Sequence, residues 1–97
     1  METADVRQFA DQVDRVLAED APDPHALERL LDSATTVANA LEGETTRLHR
    51  EIDRAVDEDP AAIGELNREL RECYRDLELL RPRVRVLTLR LAERRPV

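Results

Sequence analysis

The amino-acid sequence predicts an all-α fold: an antiparallel hairpin of two long helices, with a shorter amino-terminal helix packed on one end. Three observations predict it. Only 2% of the 97 residues are aromatic, whereas β-sandwiches and barrels rely on aromatic and β-branched side chains. Two Asp-Pro dipeptides divide the chain, and apolar residues recur at helical spacing. We therefore expect a single helical domain, residues 1–97, arranged as a coiled-coil-like three-helix bundle.

The two Asp-Pro dipeptides, Asp23-Pro24 and Asp59-Pro60, each place a good N-cap before a proline at the first helical position. The short connection before Pro60 forces the long helices to run antiparallel. The predicted helices span three segments: about residues 3–19, 24–57 and 60–94.

The third helix has the most regular pattern. Between Ile63 and Leu91, apolar residues alternate at spacings of three and four, the four-heptad seam of a helix that lies along another. Pro82 lies opposite this seam, and because the periodicity continues through it, we predict a kinked but continuous helix; a break is the alternative. The seam consists of Ile63, Leu66, Leu70, Cys73, Leu77, Leu80, Val84, Leu87 and Leu91.

The second helix has a fault in its apolar stripe. Two successive spacings of four occur at Leu41, which amounts to a stutter, and Gly43 lies inside it. Folding the hairpin at residues 58–59 places Gly43 opposite Tyr74. We expect a close helix–helix contact that leaves room for the tyrosine ring, with a hinge as the alternative.

The apolar faces are wide at one end of the hairpin. Leu31 and Ala38 widen the stripe of the second helix, and Leu79, Val86 and Leu89 widen that of the third. We therefore expect the first helix to fold onto this end. The predicted contacts join Phe9 and Val13 of the first helix to Leu31, Thr35 and Ala38 of the second.

The other half of the hairpin, about residues 42–76, is predicted to be a two-helix arm. Two helices cannot shield a shared seam from water, and at ~25 cal/mol per Å² partial exposure forfeits several kcal/mol. We predict that a second copy, or another helical protein, covers the arm in a four-helix arrangement. The residues predicted to form this partner interface are Leu48, Ile52, Val56, Ile63, Leu66, Leu70 and Tyr74.

The charge of −7 argues against non-specific binding of nucleic acid by the whole surface. All 15 basic residues are arginine, which is typical of a GC-rich, bacterial genome. Residues 81–97 hold six arginines and one acid, a charge of +5, whereas residues 1–80 hold nine arginines and 21 acids, a charge of −12. Pairing with acids of the first helix explains most of the basic patch, and a nucleic-acid-associated accessory protein is the alternative. The patch comprises Arg81, Arg83, Arg85, Arg90, Arg94 and Arg95.

The sequence contains no catalytic, cofactor-binding or metal-binding motif of known spacing. His49, Asp53 and Glu69 are a conceivable metal cluster, but a solvated, salt-bridged face is favoured because the seam beside them is apolar. Cys73 is expected to be a small core residue. The chain has no signal peptide and no apolar run near the ~20 residues of a membrane span. We therefore predict a cytoplasmic, non-enzymatic protein without cofactors.

Leu41-Glu42-Gly43 and the run from Tyr74 to Glu78, in a helical hairpin near 100 residues, resemble the WXG100 proteins of type VII secretion. That family has a Trp-x-Gly hairpin turn and a Tyr-x-x-x-Asp/Glu signal after the second helix. The resemblance implies a secreted or chaperoned hairpin that acts as a heterodimer. The sequence lacks the tryptophan, however, and its predicted turn lies at residues 57–60. A small oligomerising or adaptor protein is the favoured interpretation.

Overall fold

The computed structural model describes residues 3–94, without the side chains of residues 3, 4 and 94. It contains helix α1 (Thr3–Leu17), helix α2 (Pro24–Glu58) and helix α3 (Ile63–Arg94), with a 3₁₀ turn at Pro60–Ala62. The described residues include no strand. Because α2 and α3 pack along each other and α1 packs against α3, the predicted three-helix bundle is confirmed.

The Asp-Pro dipeptides begin their helical segments as predicted, but in different ways. Asp23 is extended, and its Oδ1 atom accepts the His25 backbone N–H at 3.2 Å, which caps α2. Asp59 makes no side-chain cap. Its backbone N–H instead donates to the Ala55 carbonyl at 2.9 Å and closes α2. Pro60 then begins a tight 3₁₀ turn, so the α-helix starts at Ile63, three residues later than predicted.

Two apolar clusters of the core lie where α1 covers the groove between α2 and α3, and the hairpin alone buries Leu48, Ala55 and Leu70 farther along the arm. Phe9 packs against both clusters, together with Leu31 in one and Ala38 in the other, as predicted, whereas Thr35 is exposed. The first cluster consists of Val13, Leu27, Leu30, Leu87 and Leu91. The second consists of Val6, Leu41, Leu77 and Leu80.

The predicted contact between Gly43 and Tyr74 is wrong. A Cβ atom at Gly43 would have nothing within 4 Å, and Tyr74 contacts His49 instead. The pairs His49–Tyr74 and Glu42–Arg81 both join residues whose numbers add to 123, whereas the predicted register used a sum near 118. The 3₁₀ turn lengthens the connection and moves the partner of each residue by about five positions, or roughly 1.4 helical turns.

Helix α3 runs through Pro82 without a break, as predicted. Pro82 is exposed, so its ring disturbs the solvent side of the helix while the seam continues on the other side. Proline lacks the N–H that would bond to the carbonyl four residues earlier. The residue that follows Pro82 makes a side-chain bond to the preceding turn, in which Arg83 Nη1 donates to the Leu79 carbonyl at 2.6 Å.

The molecule is long and thin, with extents of 56 × 26 × 15 Å and a radius of gyration of 16.9 Å, against ~13 Å for a compact domain of this length. Its solvent-accessible surface of 6706 Å² exceeds by about 1,000 Å² the roughly 5,700 Å² expected for a folded monomer of this mass. None of the helices in the described part of the chain combines the length and apolar character that crossing a membrane requires.

Candidate partner-binding surfaces

The predicted interface residues of the arm have unequal exposure. Leu48 and Leu70 are buried, so the hairpin itself covers them. Val56 is 58% exposed and Tyr74 is 41% exposed, which makes them the two large apolar side chains of this set most open to a partner. The remaining members are half-buried: Ile52, Ile63 and Leu66. The partner interface stays a prediction, and five of its seven residues are exposed or half-buried.

Tyr74 is held across the hairpin by His49. The histidine Nε2 and the tyrosine Oη lie 2.8 Å apart, and the phenol O–H donates when Nε2 is unprotonated. The two rings are tilted by 59° with centroids 6.2 Å apart. No group of three His, Cys, Asp or Glu side chains within residues 3–94 could hold a metal ion. The hydrogen bond between His49 and Tyr74 orients the tyrosine on one side of the arm.

A groove of about 780 Å³ lies between α2 and α3. Its apolar lining comes from Val37, Ala40, Leu41 and Cys73. Four acids and one arginine line it as well: Glu44, Glu69, Glu72, Asp76 and Arg47. Arg47 is already engaged, because it forms ion pairs with Glu44 and with Glu51. Its hydrogen bond to Glu44 lowers the pKa of that carboxyl and raises the pKa of the guanidinium. The groove is thus acidic, with an apolar lining.

Asp76 is the unusual residue of this groove. It is only 3% exposed, and its Oδ1 atom has no hydrogen-bond partner within the described residues. Burial raises the pKa of Asp76, and the charge of Glu72 raises it further, while Arg75 and Arg7 act in the opposite direction. Sequence analysis missed this residue. Its spacing could have revealed it, because Asp76 lies three residues after Cys73 and four before Leu80, both of which belong to the seam.

Cys73 borders Asp76 and is half-buried. It packs against the cluster formed around Val6 and Leu77, which agrees with its predicted place in the core. Burial raises the pKa of the Cys73 thiol, and the neighbouring Glu44 and Asp76 charges raise it further. The side chain is therefore a protonated thiol at neutral pH, a poor nucleophile and a weak metal ligand.

The basic end of α3 is partly neutralised within the chain. Arg83 forms a bidentate ion pair with Asp14 of α1. Its Nε donates to Oδ1 at 3.0 Å, and its Nη2 donates to Oδ2 at 2.8 Å. Arg81 donates to Glu42 at 3.1 Å. Predicted pairing with the first helix is thus observed at Arg83. Arg95 lies outside the described residues, as does the side chain of Arg94.

Val86 and Leu89 do not widen the packed face of α3, contrary to the prediction. They are 39% and 57% exposed. The physical reason is the position of α1, which lies over the groove between α2 and α3 and leaves the outer side of α3 uncovered. These residues form a small apolar patch beside the exposed Arg85.

Comparisons with known proteins return no match: no family model, no curated protein and no solved structure matches this chain.

Proposed function

We propose that the protein is a small non-enzymatic oligomerisation or adaptor protein that forms a homodimer through the two-helix arm. The supporting observation is that α1 covers only one end of the hairpin. Both apolar clusters lie at that end, whereas in the arm the hairpin alone buries Leu48 and Leu70. Half of the hairpin is therefore only two helices wide, with Val56 and Tyr74 exposed on it.

The surface area supports a partner of protein size. The chain exposes about 1,000 Å² more than a compact monomer of its mass, and a standard protein interface covers ~800 Å² on each partner. A second copy supplies an identical arm, so that two hairpins form four helices around one seam. A two-fold axis places the same patch on both sides of the contact.

A nucleic-acid role receives less support from the charge distribution. Arg81 and Arg83 are engaged by carboxylates of the same chain, which removes part of the positive patch that phosphates would need.

Light scattering coupled to gel filtration tests the dimer. We expect twice the chain mass of 11.1 kDa for the wild type, and dissociation for Val56→Glu. Leu89→Glu is a matched control, because Leu89 is 57% exposed and Val56 58%, but Leu89 lies outside the arm. A monomeric wild type with one cooperative thermal transition would contradict the proposal, as would equal loss of mass in both variants.

A further inference from the structure

The acidic groove continues the path of α1. Val6, near the start of α1, packs in one cluster with Leu41 of α2 and Leu77 of α3, and Leu41 also lines the groove. On α3, Asp76 and Arg83 are seven residues apart and share one side of the helix, and Arg83 contacts Asp14 of α1. The groove therefore lies on the side that α1 occupies, beyond the residues where α1 begins.

The buried carboxylate of Asp76 gives this groove a specific polar group for a ligand to contact. A buried carboxylate oxygen without a hydrogen bond is costly, and a donor from outside relieves that cost. The arginine of the groove is unable to serve, since Glu44 and Glu51 hold Arg47. The other charged lining groups are Glu69 and Glu72, which are acceptors like Asp76. The missing group is thus a donor from outside the described residues, and the four acids of the lining favour a cationic one.

The shape and lining of the groove favour a helix as the carrier of that cation. From Thr36 to Arg47 the α2 side of the groove spans ~16 Å, or three helical turns. The lining of Val37, Ala40 and Leu41 suits an apolar stripe, and α1 already occupies the adjoining part of the same groove as a helix. We propose that the groove binds a basic amphipathic helix of a partner protein, with an Arg or Lys side chain that reaches Asp76.

This site is separate from the proposed dimer surface. Tyr74 and Asp76 are two residues apart on α3, which places them about 200° apart around the helix axis. One side of the arm therefore carries Tyr74, and the other carries the groove. Both surfaces can be occupied at once, so a dimer would present two grooves. The inference does not depend on the dimer.

The probe is a fluorescein-labelled helical peptide about four turns long, with leucines at heptad spacing and arginines on both flanks. Its counterpart has glutamine in place of every arginine. Fluorescence anisotropy measures both peptides on the wild type, on Asp76→Asn and on Glu78→Gln. Glu78→Gln is the matched control, because this exposed acid lies two residues from Asp76 on the opposite side of α3. Circular dichroism confirms that each variant is folded.

We expect the arginine peptide to bind the wild type, and Asp76→Asn to weaken binding by about tenfold or more, while Glu78→Gln changes affinity less than about twofold. Added salt weakens binding of the arginine peptide. Equal affinity of both peptides, equal affinity of wild type and Asp76→Asn, or no binding at all would overturn the proposal. Tight binding of free arginine amide, unimproved by the peptide, would assign the groove to a small cation instead.

Light scattering on the same samples separates this inference from the proposed function. If Val56→Glu is monomeric but binds the arginine peptide as the wild type does, both proposals are supported. If the wild type is monomeric and still binds the peptide, the dimer fails and the groove stands. If Asp76→Asn abolishes the dimer, a second copy occupies the groove, and the helix of a different protein is ruled out.

Discussion

Replacing Asp76 with leucine should stabilise the protein. The carboxylate is 3% exposed, one of its oxygens lacks a partner, and it shares its side of α3 with Cys73 and Leu80. A buried polar group without a hydrogen bond costs about 1–3 kcal/mol. Because Oδ1 is the oxygen that is buried without a partner, we expect a gain in the free energy of unfolding of about 1–2 kcal/mol. This gain raises Tm by roughly 4–16 °C for a chain of this length.

The gain should depend on pH in a defined direction. Burial raises the pKa of Asp76 above its ordinary value of 3.8, so the folded state binds the proton more tightly than the unfolded state does. Stability of the wild type therefore falls as pH rises from 3.8 through the folded-state pKa. Asp76→Leu removes this loss. The difference in the free energy of unfolding between Asp76→Leu and the wild type should be largest above the folded-state pKa of Asp76 and should shrink as the pH falls toward 3.8.

Urea unfolding followed by circular dichroism, at one protein concentration and several pH values, measures this gain. Leucine also has a higher helix propensity than aspartate, by about 0.5 kcal/mol. Asp53→Leu, at an exposed position inside α2, measures that contribution alone. A destabilised Asp76→Leu, a gain no larger than that of Asp53→Leu, or a gain that stays constant with pH would refute the interpretation of Asp76 as a strained buried acid.

Three further predictions concern Gly43, the Asp14–Arg83 ion pair and Cys73. Gly43→Ala should raise the free energy of unfolding by about 0.5–1 kcal/mol, because a helical glycine is entropically costly and the added Cβ meets nothing within 4 Å. A double-mutant cycle between Asp14→Asn and Arg83→Gln should give a coupling of about 0.5–1 kcal/mol, modest because Asp14 is half exposed. The Cys73 thiol should react with a disulfide reagent more slowly in the folded protein than in urea at the same pH, because burial raises its pKa.

Each of these has a comparison that can contradict it. Gly64 also faces open space but lies in the first turn of α3, so Gly64→Ala should gain less than Gly43→Ala. A coupling that persists unchanged in high salt would contradict a half-exposed Asp14–Arg83 pair. Equal rates of thiol modification in native and unfolded protein would contradict the burial of Cys73.

The helices themselves were predictable because their signals are local. The Asp23 cap and Pro24 mark the first turn of α2, and the heptad spacing from Ile63 onward continues through Pro82, so local patterns located the long helices to within three residues. The length of the connection was harder to predict. The 3₁₀ turn after Asp59 depends on how α2 closes, and it moved the register from a sum near 118 to 123.

The amino-acid sequence by itself determined that the chain forms three helices, that two of them make a hairpin, and that one end of it has wider apolar faces. Only the tertiary structure decided what each helix side touches. It buried Asp76, left Val86 and Leu89 exposed, and paired His49 with Tyr74. The physical reason is that spacing along a helix identifies which residues share a side, whereas burial depends on which distant segment covers that side. Here α1 covers one part of the groove between α2 and α3 and leaves the other part open. This division follows from packing between segments that are far apart in the chain.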